Sequence, residues 1–550
     1  MRQRRVISMV SGLVLAAGAL FGASPAGAAV TNGPTPPAEF GNDWHDPLTA
    51  GPPVAKPHTR SCQVTLGEAQ FRDFTPYKGS YTPPKKCGDR WSKVVLRLDG
   101  KVKGRQYDRL GYLHVGGVEV LKTSTPEPSV DGITWSVEKD VTRYSDTFRR
   151  DQSVEMLIGN VVNETYTGVI DVKATLTFYA AEGRTKPAET PDRVLTLGGP
   201  DANSLTTPRN SQRILAEVYA TGSGGGCEEY WYLSVPENAP YSCKAAAGPY
   251  REVQIKVDGK LAGIAAPFPT VWTGGWSNPF LWYVVPGPRA FDIKPIQYDL
   301  TPFAGLLNDG RPHKVEVGVV GVPEGQSGWN TPVNVLVWQD HGSRVVTGAL
   351  TRHAEGTPVN STKYTPGSEH RLDTRGGHRL TVAGYVNTSR GRVDTRIARS
   401  LANTSVHRWT EGEKLDALKG EWTDEETVAV KSTSVKGTVG PERATQALRT
   451  YTMDGTTTVG PDPDARLRTV LTLGDKADTE TLVDGRRTAF SQLDDVYKGD
   501  AAYHSNAPRE QRHAVGTTGE RYRLYDSDGT CYDRSVTSVQ GTLVEDRRHC

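Results

Sequence analysis

Arg251-Glu252-Val253-Gln254-Ile255-Lys256-Val257-Asp258 alternates polar and apolar side chains with a period of two and stops at Asp258-Gly259. Successive residues of an extended chain point to opposite faces, so Val253, Ile255 and Val257 share one face. That is the pattern of a half-buried antiparallel strand ended by a tight turn. It recurs in Lys314-Val315-Glu316-Val317-Gly318-Val319 and in Val333-Asn334-Val335-Leu336-Val337. It recurs again in Val94-Val95-Leu96-Arg97-Leu98-Asp99, where Asp99-Gly100 reads as the turn. Arg379 to Val386 and Arg466 to Leu473 are strand-like as well. With 58 Gly and 36 Pro against only 4 Met, long helices are not expected. The fold class that follows is all-β, built of sandwiches of the jelly-roll or a related type.

Outward from these strands, the chain divides by texture. Met1 to Arg5 is basic, Val6 to Ala23 is apolar, and Ala26-Gly27-Ala28 supplies small residues, so 1–28 reads as a secretory signal peptide. Residues 29–60, rich in Pro, Gly and Thr, read as an N-terminal extension. A first sandwich is expected over 61–181, a Pro/Thr/Gly linker over 182–208 and a second sandwich over 209–350. The more polar 351–550 reads as a C-terminal β-rich domain. No later apolar run is long enough to span a bilayer, so a secreted, extracellular protein with no membrane partner is expected. Lys+Arg 65 against Asp+Glu 63 leaves a formal charge of +2, with both signs interspersed, which argues against a nucleic-acid partner. Six cysteines fall as three close pairs, and pairing by proximity gives Cys62–Cys87, Cys227–Cys243 and Cys531–Cys550. C-x-x-C spacing and clustered histidines are missing, so no metal is expected.

The sequence contains no H-E-x-x-H, no Walker-type phosphate loop and no G-x-S-x-G elbow. Gly224-Gly225-Gly226 runs into a cysteine and two acids and reads as a loop before a strand. What remains is carboxylates and aromatics. In Gly104-Arg105-Gln106-Tyr107-Asp108-Arg109-Leu110-Gly111, an acid flanked by arginines and entering a strand has a setting that favours the ionised form a base needs, or it is a surface ion pair. In Cys227-Glu228-Glu229-Tyr230-Trp231-Tyr232-Leu233, a period of two puts Glu229 on the face of Trp231 and Leu233, and Glu228 on that of Tyr230 and Tyr232. A carboxyl on a tryptophan-bearing apolar face suits a proton donor; the plainer reading is a strand-end glutamate beside the core. Trp272, Trp276 and Trp282 lie in a Pro/Gly-rich loop, either as a platform for sugar faces or as plugs beneath the loop.

Gly104 to Arg109, Gly116-Gly117-Val118-Glu119-Val120-Leu121 and Trp135-Ser136-Val137-Glu138-Lys139-Asp140-Val141-Thr142-Arg143-Tyr144 resemble the peptide:N-glycanases. So do Tyr250-Arg251-Glu252-Val253 and Tyr298-Asp299-Leu300-Thr301-Pro302. The likeness is to the plant-type peptide-N4-(N-acetyl-β-glucosaminyl)asparagine amidases A, and it is strong over about 60–350. A more distant resemblance, to the bacterial PNGase F type, implies two adjacent jelly rolls with catalytic carboxylates in the cleft between them. Tyr107-Asp108-Arg109-Leu110 is similar to that group's W-D-R-Y segment, and Gly226-Cys227-Glu228-Glu229-Tyr230 to its G-C-A-E-W segment. The resemblance therefore implies Asp108 and Glu229 as the catalytic pair. Tyr250-Arg251-Glu252 echoes an F-R-T pattern, and Asn160 stands where the bacterial group has a further active-site glutamate.

By this resemblance the chain hydrolyses the asparagine side-chain amide bearing an N-glycan, giving aspartate and a glycosylamine. Asp108 would activate water and Glu229 would polarise the amide or protonate the departing nitrogen. Arg109, Arg251, Trp272, Trp276, Glu228 and Asn160 make up the expected substrate-binding set. No cofactor is expected, the partners are N-glycosylated peptides or glycoproteins, and a monomer is expected. Two alternatives stay open: an endoglycosidase using the same carboxylate pair, and a non-catalytic glycan-binding sandwich.

Overall fold

Eight strands open the fold: β1 (Ser61–Phe71), β2 (Tyr77–Tyr81), β3 (Trp91–Lys103), β4 (Leu110–Val115), β5 (Val118–Ser124), β6 (Ile133–Asp140), β7 (Gln152–Ile158) and β8 (Val169–Ala180). They form two four-stranded antiparallel sheets, ordered β1-β8-β3-β6 and β2-β7-β4-β5. The structure, a computed structural model, describes residues 44–550 except 130, 199–202, 223–225, 271–277, 324–327, 464 and 509–510. The leader-like stretch 1–28 and the two loop tryptophans Trp272 and Trp276 lie outside the described residues. Asp99-Gly100 is not a turn, because β3 runs on to Lys103. Gly100 faces Trp135 across the β3–β6 ladder, and a Cβ there would lie 2.3 Å from the indole. The glycine makes room for an aromatic neighbour instead of reversing the chain.

A second sandwich follows, from β9 (Arg193–Thr196), β10 (Ser204–Leu205), β11 (Ser211–Val218), β12 (Thr221–Gly222), β13 (Glu252–Val257), β14 (Lys260–Ala265), β15 (Ile296–Asp299), β16 (His313–Val320), β17 (Trp329–Asn330) and β18 (Val333–Gln339). Its sheets are β10-β16-β13-β14 and β15-β11-β18-β9, with β12 and β17 as a short separate pair. Asp258 and Gly259 both take positive φ, 47° and 77°, and close the two-residue hairpin between β13 and β14. The stretch read as a linker carries β9 and β10, which pair with β18 and β16.

The remaining strands are β19 (Thr347–Glu355), β20 (Val359–Thr365), β21 (Glu369–Thr388), β22 (Gly391–Thr410), β23 (Leu415–Ser434), β24 (Arg443–Val459), β25 (Arg466–Val483), β26 (Arg486–His504), β27 (Val515–Asp526), β28 (Cys531–Val539) and β29 (Thr542–Arg548). They make one antiparallel sheet that meanders from β21 to β29, with β19 and β20 both paired to β21. Trp409, Trp422, Tyr451, Leu471 and Tyr497 are buried and belong to a core continuous with the second sandwich. The chain is therefore all-β: two four-on-four sandwiches side by side and a long C-terminal sheet.

All three expected cysteine pairs are joined, at Cα separations of 6.0, 5.3 and 5.7 Å. No helix among the described residues is long and apolar enough to cross a membrane. Both facts are compatible with a secreted or vacuolar protein. The extension is not a loose tail over its described part. The backbone N–H of His45 donates to Gly541 and that of Leu48 to Val284, while Trp44 stacks on Tyr283 at 4.1 Å. Asp46 accepts from Thr134 of the first sandwich, and the Ala50 N–H donates to Glu520. This strap touches all three parts of the molecule.

Candidate active site

The two sandwiches are fastened where β5 lies beside β18. Asn334 clasps the Glu119 backbone from both sides, at 3.0 and 2.8 Å. The Ser124 N–H and hydroxyl both donate to the Ala290 carbonyl, and the Ile293 N–H donates to the Lys122 carbonyl. Deeper in the seam, Lys139 pairs with Asp292 at 3.1 Å and donates to Tyr219, and Tyr144 donates to Glu217 at 2.6 Å. Buried polar groups are costly unless paired, and these pairs fix how one sandwich meets the other.

Asp108 lies in the loop between β3 and β4 and is half-buried. Two residues lock this loop. Gln106, only 4% exposed, donates to the Val161 and Gly168 carbonyls and accepts from the Tyr107 N–H and the Arg109 guanidinium. Thr125 exchanges bonds with the Arg109 backbone, 2.9 Å each way. Glu127 follows on the same passing segment; it is buried, and its charge reaches Tyr107 and Arg109. Burial lowers the pKa of Arg109, an effect Asp108 partly offsets. Tyr107 rests against Tyr166, centroids 5.3 Å apart.

Glu229 comes from the second sandwich, in a 3₁₀ turn spanning Gly226–Leu233 and kinked at Tyr230. The segment is thus not the strand that its sequence suggested, and the two strand faces expected to separate Glu229 from Glu228 do not exist. Aromatic content pulled the reading toward a strand, whereas the Cys227–Cys243 bridge closes the segment into a tight coil. Helical spacing still separates the two acids. Desolvation pushes the Glu229 carboxyl up to about 7, the nearby Asp108 charge adds to the rise, and a 3.2 Å hydrogen bond from Tyr230 opposes it. Tyr230 also feels the charges of both Asp108 and Glu229, which act on this common neighbour from the first and the second sandwich.

Other expected site residues lie elsewhere. Glu228 and Arg251 have fully buried side chains and bind each other in a fork, at 2.9 and 2.6 Å. The Trp329 indole adds a 2.6 Å bond to Glu228, and Arg251 also donates to the Gly248 and Tyr250 carbonyls. The Glu228 carboxylate and the Arg251 guanidinium are thus bonded within the protein. Asn160 is also buried; it donates to Phe71 and Gly168 and braces the same carbonyl that Gln106 holds. All three are buried and held by bonds within the protein. Sequence reasoning passed over Gln106, Glu127 and Tyr230; the adjacency of Tyr230 to Glu229 was the one available signal.

Residues 52–355 match the family model of peptide N-acetyl-β-D-glucosaminyl asparaginase amidase A. The chain is 28% identical over 382 residues to the peptide-N4-(N-acetyl-β-glucosaminyl)asparagine amidase A of Prunus dulcis, covering 62% of this chain and 66% of that relative. It thus spans just under two thirds of the relative's length. A solved structure of PNGF-II overlaps at a TM-score of 0.35 and 14% identity, covering 51% of this chain and 66% of that one. With more than half of the residues inside the family match, both sandwiches among them, the chain belongs to the peptide N-acetyl-β-D-glucosaminyl asparaginase amidase A family.

Proposed function

We propose that this chain is a secreted glycoamidase that hydrolyses the asparagine side-chain amide carrying an N-glycan, with glycosylated peptides or glycoproteins as substrates. Family membership supports the reaction class. The single observation that carries the mechanism is a pair of carboxyls, one from each sandwich, whose charges interact across the seam while one of them is raised to about 7. Asp108 takes a proton from water as the oxygen attacks the amide carbon. Glu229 gives its proton to the departing nitrogen, so the C–N bond breaks to aspartate and a glycosylamine. A positioned acid or base contributes roughly 10²–10⁴ in rate. Arg109, partly desolvated beside Asp108, steadies the oxyanion. Digestion of a defined glycopeptide in heavy-oxygen water tests this: one label in the new aspartate is expected. GlcNAc left on asparagine would instead assign an endoglycosidase, and glycan affinity without product a binding protein.

A further inference from the structure

The family match ends at residue 355, yet the turn bearing Glu229 is gripped by strands beyond it. The Cys227–Cys243 bridge makes residues 227–243 one closed loop, and its far side rests on β22 and β23. Trp422 of β23 meets Trp231 edge-to-face at 5.7 Å, and Trp409 donates from its indole to the Pro240 carbonyl at 2.8 Å. Tyr241 donates to Asp416 at 2.9 Å, and Asp416 is also bonded by His407 at 2.7 Å. Ser242 donates from backbone and side chain to Glu413. Gly420 leaves space for the Trp422 ring, since a Cβ there would lie 2.5 Å from it. Tyr232, on the same turn as Tyr230, is fully buried and feels the charges of both Glu229 and Asp416.

We propose that the C-terminal sheet is a working part of the active site: Trp422, Asp416 and His407 are positioning residues that hold the disulfide loop from behind and keep water away from Glu229. This rests on the glycoamidase reading. The charged and titratable groups that interact with Glu229 are Asp108 from the first sandwich and Tyr230 and Tyr232 from its own turn, with Asp416 of β23 acting on Tyr232. Opening the wall at Trp422 hydrates the carboxyl, and hydration favours its charged form.

The test uses the full chain with Trp422→Ala and Trp422→Phe. Readouts are kcat and KM on a glycopeptide, the pH dependence of kcat, and the Glu229 carboxyl titration followed by infrared difference against Glu229→Gln. For Trp422→Ala, kcat falls about tenfold or more with KM little changed, as expected when a reacting group is displaced. The alkaline limb and the carboxyl midpoint both move down by about one pH unit, and Trp422→Phe restores most of each. A folded Trp422→Ala protein with an unchanged rate, limb and midpoint overturns the proposal. Should that variant not fold, Asp416→Asn is measured in the same way: a lowered rate and midpoint support the proposal, and unchanged values overturn it. If the wild-type chain releases no aspartate, the glycoamidase reading fails, while the infrared titration still decides whether the sheet controls Glu229.

Discussion

Glu228 and Glu229 are adjacent in sequence and opposite in circumstance. Glu228 is neutralised by a two-pronged bond to Arg251, whereas Glu229 is buried with a tyrosine hydroxyl and a nearby carboxylate charge, so its proton is held unusually tightly. Glu229→Gln is expected to lower kcat about 10²-fold or more on a glycopeptide, with a melting temperature at neutral pH raised above the wild type's because the amide has no proton to lose. In the wild type, kcat should decline as pH rises through about 7, where Glu229 gives up its proton. Stability has the same sign. Between the ordinary carboxyl range and pH 7 the unfolded chain has lost this proton and the folded one keeps it, so folding weakens as pH rises. Denaturant midpoints at pH 5 and 8 should show this loss, and Glu229→Gln should abolish it. Arg251→Ala should instead unfold the chain, at about 3–5 kcal/mol, because a buried charge is left alone; a stable variant with raised KM would return Arg251 to the substrate-binding set. At this scale the resemblance is what points to Asp108 and Glu229 as the proposed pair, while the strand face read for Glu229 from its sequence does not exist. The burial of Glu228, Arg251 and Asn160 was not legible, because polar side chains with near and distant partners alike give no periodic signal.

Strands announce themselves by alternation wherever one face is buried, which is why β13, β16 and β18 were readable directly. Short aromatic segments do not: over seven residues, a coil and a strand bury rings equally well. The Gly226–Leu233 turn is the case that matters, because it carries a candidate acid. Its Cys227–Cys243 bridge closes a span of 16 residues. Replacing both cysteines by serine is expected to destabilise the chain by about 3 kcal/mol. The loop is also docked on β22 and β23, so activity should fall with heating before the far-ultraviolet strand signal does. Coincident loss of both would show that the bridge guards the whole fold and not the loop. Gly100 teaches the same lesson from the other side. An Asp-Gly pair is a turn only when no aromatic ring across the ladder needs the space.

For the molecule as a whole, the two-sandwich plan was legible and the dependence of the parts on one another was not. A Pro-rich extension has no periodicity to betray what it binds, and a polar C-terminal third gives no hint that its strands reach 20 residues and share a core with the second sandwich. The strap is where this is most easily measured. Trp44 is 5% exposed against Tyr283, so Trp44→Ala should cost about 3–5 kcal/mol, seen as a lower thermal midpoint with kcat preserved on the remaining folded protein. No change would mean that the strap merely lies on the surface. Its geometry also sets an order of events. Trp44 to Ala50 bonds to Gly541, Glu520 and, through Tyr532 and Arg534, the last strands of the sheet. During synthesis the strap can meet Thr134, Tyr283 and Val284 early, but its bonds to Glu520, Tyr532, Arg534 and Gly541 wait for the later strands. A segment made early is therefore locked in two stages, the second of which depends on strands made much later.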